Sequence, residues 1–482
     1  MSSARTNYAA RFAYGLGGIA TAVKDSAVVH FMLIFYTQVA GLPGAWFGIA
    51  SAIAQIGDAL VDPAIGSWSD NTRGRLGRRH PFMLGAAIPY AIAFWLLFNP
   101  PAGLSQGALF AWAVGTMVLV RGLLALFAIP HTALGAELST DYAERTQIAA
   151  DRTVLAWLGG ILLPALAYQV IFTAAAGADG KPLDGRLVAG NYPAYALLGA
   201  GVILAVTLVS ALGTRSAIAR LPMPQQQRKL TLLDPFRDVA FALRNANFRR
   251  VFAALFVAGG ITGVSTMFTA LTWLYFWEFT TGQTTVIVLS SVAPTLVAFV
   301  AVGPLSQRFE KKTLYVATML VLIASTASFP GARLLGLLPA NGTDALFWLA
   351  IATNFVTVLV LVINGSVWPS IIADIADEYE VQHRERKDGV FFAALAFGLK
   401  VPQGLGNMLG GFAVAWVGIA GGNPGSVPAD VLFRMGLIAG PLIAASLVLP
   451  VLAMARYDIS RERHAELRRE IEMRAAVGAG RE

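Results

Sequence analysis

Ile56-Gly-Asp58-Ala-Leu-Val-Asp62-Pro-Ala-Ile-Gly-Ser-Trp-Ser-Asp70-Asn-Thr-Arg73-Gly-Arg75-Leu-Gly-Arg78-Arg79-His-Pro81 places two carboxylates, Asp58 and Asp62, inside an apolar run that ends in a burst of arginines. An ionised side chain at the centre of a membrane helix costs at least about 2.5–3.5 kcal/mol, so acids in such a place point to function. Arginines massed in a short loop mark the cytoplasmic end of a span. The stretch therefore reads as a membrane helix with a buried acidic site, followed by a cytoplasmic turn.

Composition carries that reading to the whole chain. Of 482 residues, 56% are hydrophobic and 13% charged, with a mean hydropathy of +0.62, whereas an average soluble domain has about 25% charged residues. The fold class expected is an all-α polytopic membrane protein. The net charge of +8 does not signal nucleic acid, because the basic residues sit in short loops rather than on one folded face. Cysteine is absent, which excludes thiol chemistry and disulfides. His30 and His131 lack partners at ligand spacing, so no metal is expected. The amino terminus shows no secretory cleavage pattern and reads as a retained first helix.

Apolar windows long enough to span a bilayer lie near 12–39, 45–69, 81–99, 107–136, 150–174, 192–213, 248–277, 285–306, 313–330, 345–373, 388–418 and 430–455. They make a bundle of six helices over 1–213, a polar connector over 214–247 containing Pro222, Pro224 and the Gln225-Gln-Gln-Arg-Lys229 run, a second bundle over 248–455, and a charged tail over 456–482. The tail reads as a solvated amphipathic helix. Arginines and lysines fall in alternate loops, Lys181, Arg186 and Arg333 being nearly all that the opposite loops hold. Both termini are thus expected in the cytoplasm of a multi-pass cell-membrane protein, in the inner membrane if the source is Gram-negative. The halves also repeat weakly. Gly66 to Arg79 has a counterpart in Gly303-Pro-Leu-Ser-Gln-Arg-Phe-Glu-Lys-Lys312, and Ala136-Glu-Leu-Ser-Thr-Asp141 in Ala373-Asp-Ile-Ala-Asp377. Two pseudo-symmetric six-helix bundles of this kind form the major facilitator layout, with its substrate site at midplane.

Further ionisable residues fall inside the apolar windows. Lys24 and Asp25 lie in the first helix, Arg121 in the fourth and Lys400 in the eleventh. Asp58 and Asp62, four residues apart, share a helix face. The pair is suited to a coupling cation, either Na⁺ through oxygen ligands or H⁺ on a carboxylate whose proton affinity burial raises. Lys24, Asp25, Arg121 and Lys400 would meet the hydroxyls of a polar substrate or lock the halves together. Trp368, beside Asn364 in the tenth helix, is a candidate for stacking on a sugar ring. Trp273 and Trp277 fit an interfacial aromatic belt instead.

Taken together, Tyr14-Gly-Leu-Gly, Phe35-Tyr-Thr-Gln-Val-Ala-Gly-Leu, Asp58-x3-Asp62-Pro-x2-Gly66, Gly77-Arg-Arg-His-Pro81, Ile129-Pro-His-Thr-Ala-Leu-Gly-Ala-Glu-Leu-Ser-Thr-Asp-Tyr-Ala-Glu-Arg145, Arg152 and Phe397-Gly-Leu-Lys-Val resemble the glycoside/pentoside/hexuronide cation symporters, the melibiose permease group of the major facilitator superfamily. The resemblance covers nearly the whole chain. It implies a cation-coupled symporter of a sugar or glycoside, with Asp58 and Asp62 as cation carboxylates, Lys400 linking cation and sugar sites, and Arg152 as the family's arginine early in the fifth helix. Asp70, Arg78, Arg79, Glu137, Asp141 and Arg145 would then hold the cytoplasmic gate. An asparagine that Na⁺-using members carry beside the second carboxylate is Val61 here, which favours H⁺ over Na⁺. The galactoside-gripping Asp and Trp align with Ala128 and Thr132, and a nearby Thr with Ala125. Lys24-Asp25 matches a family pair in type but lies three residues later. The expected partners are a sugar or glycoside and membrane lipid, with no nucleic acid, no cofactor beyond the coupling ion, and a monomeric state. A carrier of lysolipid-type amphiphiles is the alternative within this fold, and a non-transporting receptor the alternative outside it.

Overall fold

The computed structural model describes residues 7–139, 141–176, 182–220, 234–419 and 421–479. Lys181 and the Pro222, Pro224 and Gln225–Lys229 features of the connector lie outside them. Among the described residues, twelve helices are long and apolar enough to cross a membrane: Tyr8–Val39, Gly44–Asn71, His80–Leu97, Gln106–Glu137, Ala143–Ile171, Asn191–Ile218, Ala246–Phe276, Thr281–Arg308, Lys311–Leu334, Asp344–His383, Asp388–Val417 and Ala429–Ala455. They are called the first to twelfth helices below. They match the expected windows one for one; the face at which the first helix begins and the second ends is the terminal face.

Hydropathy locates the membrane, not the helix end. The tenth helix runs on to His383 instead of stopping near 373, because its acidic last turns find basic partners. It closes at Arg384, whose left-handed backbone (φ 57°) lets its N–H reach the Glu380 carbonyl at 2.8 Å, a common helix stop. Wide π-helical turns interrupt the first helix at Val28–Met32 and Phe35–Val39, the fifth at Ala167–Ile171 and the seventh at Thr272–Phe276. Such turns mark places where a helix bends for a purpose.

The chain packs as two compact units. The first comprises 1–232, 266–289 and 407–432; the second comprises 233–265, 290–406 and 433–482. In the first, the second helix lies along the fourth, the third against the fourth and sixth, and the first against the fifth and sixth. Lipid supplies no hydrophobic drive between helices, so close approach of small residues does that work. An ideal Cβ on Gly18 would stand 2.6 Å from the Arg152 carbonyl, and one on Gly17 would stand 2.5 Å from His131 Nε2. In the second unit the same pairings recur: the eighth helix lies along the tenth, and the ninth against the tenth and twelfth. A tail helix, Arg461–Ala479, packs on the tenth.

Candidate functional site

Within the first unit, the packing of the second helix on the fourth brings two of the intramembrane charges together. Arg121 Nη1 stands 3.5 Å from Asp58 Oδ2, with both side chains buried. Neither charge could be held in the membrane alone at small cost, and facing each other they satisfy much of that demand. Asp62 lies one turn nearer the terminal face, half-buried. Val61, beside it, is 39% exposed and offers no ligand oxygen.

On the first helix Lys24 forms an ion pair with its neighbour Asp25; the lysine is buried and the Asp25 side chain is 59% exposed. Fully buried Tyr90 donates its hydroxyl to the Ala20 carbonyl at 2.8 Å and lies within electrostatic reach of both Asp25 and Arg121. Arg152 lies nearer the terminal face along the first helix. It donates to Thr132 Oγ1, packs on Gly18, and acts electrostatically on Tyr14 and His131.

Lys400 and Trp368 belong to the second unit. Trp368 is 8% exposed within the apolar core, edge-on to Tyr315 with ring centroids 4.8 Å apart. Asn364 donates to Thr318 Oγ1 at 2.9 Å. Packing accounts for both residues.

Four of the six expected gate residues meet on the terminal face of the first unit. Arg79, 5% exposed, pairs with Asp70, reaches Glu137 at 2.8 Å and donates to Ser69 Oγ at 3.0 Å. Arg78 also pairs with Glu137 at 2.8 Å. A short loop thereby ties the ends of the second and fourth helices. Asp141 and Arg145 do something more local. Asp141 caps the fifth helix by accepting from the Glu144 N–H at 2.8 Å, and Arg145 donates to the Ser139 carbonyl at 2.6 Å. The second unit repeats the arrangement: Lys311, in the loop matched to that of Arg79, pairs with Asp374 at 2.6 Å, in the segment matched to that of Glu137. His464 of the tail helix stands 3.3 Å from both Asp374 and Asp377.

A further charged group was not legible as special. Arg186, which reads in the sequence as one of a few stray loop cations, is 1% exposed and forked onto Asp184. Its nearest sequence signal is the acid two positions earlier. No group of three or more His, Cys, Asp or Glu that could hold a metal ion occurs among the described residues.

Comparison with known proteins fits this geometry. The symporter YicJ of the Escherichia coli inner membrane is 26% identical over 86% of this chain and 82% of its own. The isoprimeverose transporter of Lactiplantibacillus pentosus is 23% identical, over 93% and 88% respectively. A crystal structure of a D-xylose-proton symporter superposes with a TM-score of 0.60 at 16% identity, covering 93% of this chain and 97% of that one, which shows the major facilitator fold. The family model described as MFS/sugar transport protein matches residues 13–461, and twelve helices long and apolar enough to cross a membrane occur among the described residues; the chain belongs to that family and is a transporter rather than an enzyme.

Proposed function

We propose that this symporter moves a sugar or glycoside together with H⁺, through alternating exposure of a site that includes Asp58 and Asp62. The observation that supports the reading is the Asp58–Arg121 pair, largely shielded midway along two apolar helices. A proton added beside that pair changes its net charge, and with it the cost of holding the site away from water. Val61 supports H⁺ over Na⁺, because Na⁺ needs several oxygen ligands and H⁺ needs one carboxylate. Asp25, Lys24 and Arg121, with Arg152 and Thr132 nearer the terminal face, are the candidates for substrate hydroxyls within the first unit, and Lys400 is the candidate within the second. Asp70, Arg78, Arg79 and Glu137 hold the gate on the terminal face, which is cytoplasmic by the placement of basic loops.

Uptake by purified protein in proteoliposomes tests this, across mono- and disaccharides, glycosides, uronates and a lysophospholipid, under separately imposed H⁺ and Na⁺ gradients. Accumulation of a sugar driven by H⁺ alone is the expected result. Accumulation only with Na⁺, or of the lysophospholipid alone, overturns the proposal.

A further inference from the structure

On the face opposite the termini, the turn between the seventh and eighth helices belongs to the same compact unit as the first six helices. Arg186 bonds across to it. The backbone that carries Arg186 is held from three sides. Gly185 is pressed so close to the end of the fifth helix that an ideal Cβ would lie 2.0 Å from the Phe172 carbonyl. Asn191 donates to the carbonyls of Gly185 at 2.9 Å and Thr173 at 3.1 Å, and Tyr192 donates to the Arg186 carbonyl at 2.7 Å. Asp184 accepts from Arg186 Nε and Nη2, each at 2.8 Å. The two remaining contacts cross to the turn: Nη2 donates to the Phe279 carbonyl and Nη1 to Thr284 Oγ1 at 3.4 Å.

The receiving side is shaped for this. Glu278, just before Phe279, is held in the left-handed region (φ 53°), a strained state for a non-glycine residue that persists only when its surroundings impose it. The Phe279 carbonyl that follows lies in the connection between the seventh and eighth helices and accepts from Arg186. Burial works against the charge on Arg186, but its hydrogen bond and charge interaction with Asp184 outweigh burial and keep its pKa above the ordinary arginine value. Because Asp184 sits two residues away on the same loop, the charge stays compensated when the crossing bonds break. That makes the contact releasable, unlike an ion pair whose partners sit on separate elements.

We propose that Arg186 is the pin of the gate on the face opposite the termini, holding the seventh–eighth turn shut until its bonds to Phe279 and Thr284 are released in each cycle. The same face is joined nearby by Tyr275 donating to Gln38 Oε1 at 3.2 Å and by Asn407 donating to Ser51 Oγ at 2.9 Å, so Ser51 lies where opening would admit water. The proposal rests on alternating access as read above, but not on which solute is carried.

The chain has no cysteine, so a Ser51→Cys reporter in the reconstituted full-length protein can be followed with a membrane-impermeant maleimide added to the face opposite the termini. Arg186→Ala should speed labelling about 10-fold, the effect of losing hydrogen bonds from a charged donor. Arg186→Lys keeps the charge beside Asp184 but lacks the fork, and should give a smaller rise; it carries the test if Arg186→Ala does not fold. A Ser67→Cys reporter labelled from the terminal face should not accelerate. Labelling at the unsubstituted rate in the folded variants, or an equal rise at both reporters, overturns the proposal. Loss of sugar transport with the labelling result intact would count against the symport reading alone.

Discussion

Arg121 faces Asp58 across 3.5 Å midway along the fourth and second helices, each the other's compensation for burial. Everything proposed for coupling turns on that relationship, because a proton taken up beside it alters a balance the membrane makes expensive to disturb.

Removing one member should therefore harm the protein more than removing both. Arg121→Gln alone should lower stability by about 1.5–3 kcal/mol, the range for a hydrogen bond to a charged group. The double variant Arg121→Gln with Asp58→Asn should recover part of the loss. Thermal melting of detergent-purified single and double variants gives the interaction energy directly, and strictly additive losses would mean that the two residues act independently.

On the terminal face, the six gate residues expected from the sequence should separate into two classes. Arg79→Ala removes the Arg79 partner of Asp70 and leaves Glu137 with Arg78 alone, and should reduce uptake at least about 10-fold, given the usual cost of stripping a hydrogen-bonded partner from a charge. Asp141→Ala removes a helix cap worth about 1 kcal/mol and should leave most uptake intact. Initial uptake rates normalised to protein in the membrane distinguish the two.

Lys311 and Asp374 are the second half's version of the Arg79–Glu137 contact. Lys311→Ala should mimic Arg79→Ala in direction. Because His464 of the tail also faces Asp374, the loss should be smaller than for Arg79→Ala. Side-by-side uptake measurements check the ranking, and an effect of Lys311→Ala larger than that of Arg79→Ala contradicts it.

These two contacts show what was readable in the chain. Helix number and spacing follow from hydropathy alone, and the repeat of 136–141 in 373–377 is realised as a repeated ion pair. Asp141 and Arg145, expected with the gate, make local bonds at the start of the fifth helix, and adjacency in sequence does not say on which side of a helix start a side chain will fall. The length of the tenth helix escaped because its last turns are polar and depend on partners distant in sequence, Lys311 and His464. Arg186 was passed over for the same reason: its burial is created by a turn about ninety residues later, which no local pattern announces. Trp368 is a ring-stacking candidate by its depth in the tenth helix and packs edge-on to Tyr315; depth alone does not distinguish a cavity wall from a core.

Close packing of the first helix gives an independent check on the fold. Gly18→Ala would place a methyl 2.6 Å from the Arg152 carbonyl, and overpacking of this kind costs about 1–3 kcal/mol. A lowered melting temperature is expected, with a larger drop than for Gly201→Ala in the sixth helix, where an ideal Cβ meets no neighbour within 4 Å.

The central claim is that Asp62, with Asp58, carries the coupling proton. Its most direct test is external pH recorded during addition of a transported sugar to energy-depleted, lightly buffered vesicles free of Na⁺. The unsubstituted protein should draw protons inward with the sugar, so that the medium becomes more alkaline, while Asp62→Asn should still exchange labelled for unlabelled sugar without any pH change. Sugar-dependent alkalinisation that persists in Asp62→Asn, or that never occurs without Na⁺ in the unsubstituted protein, would contradict the account.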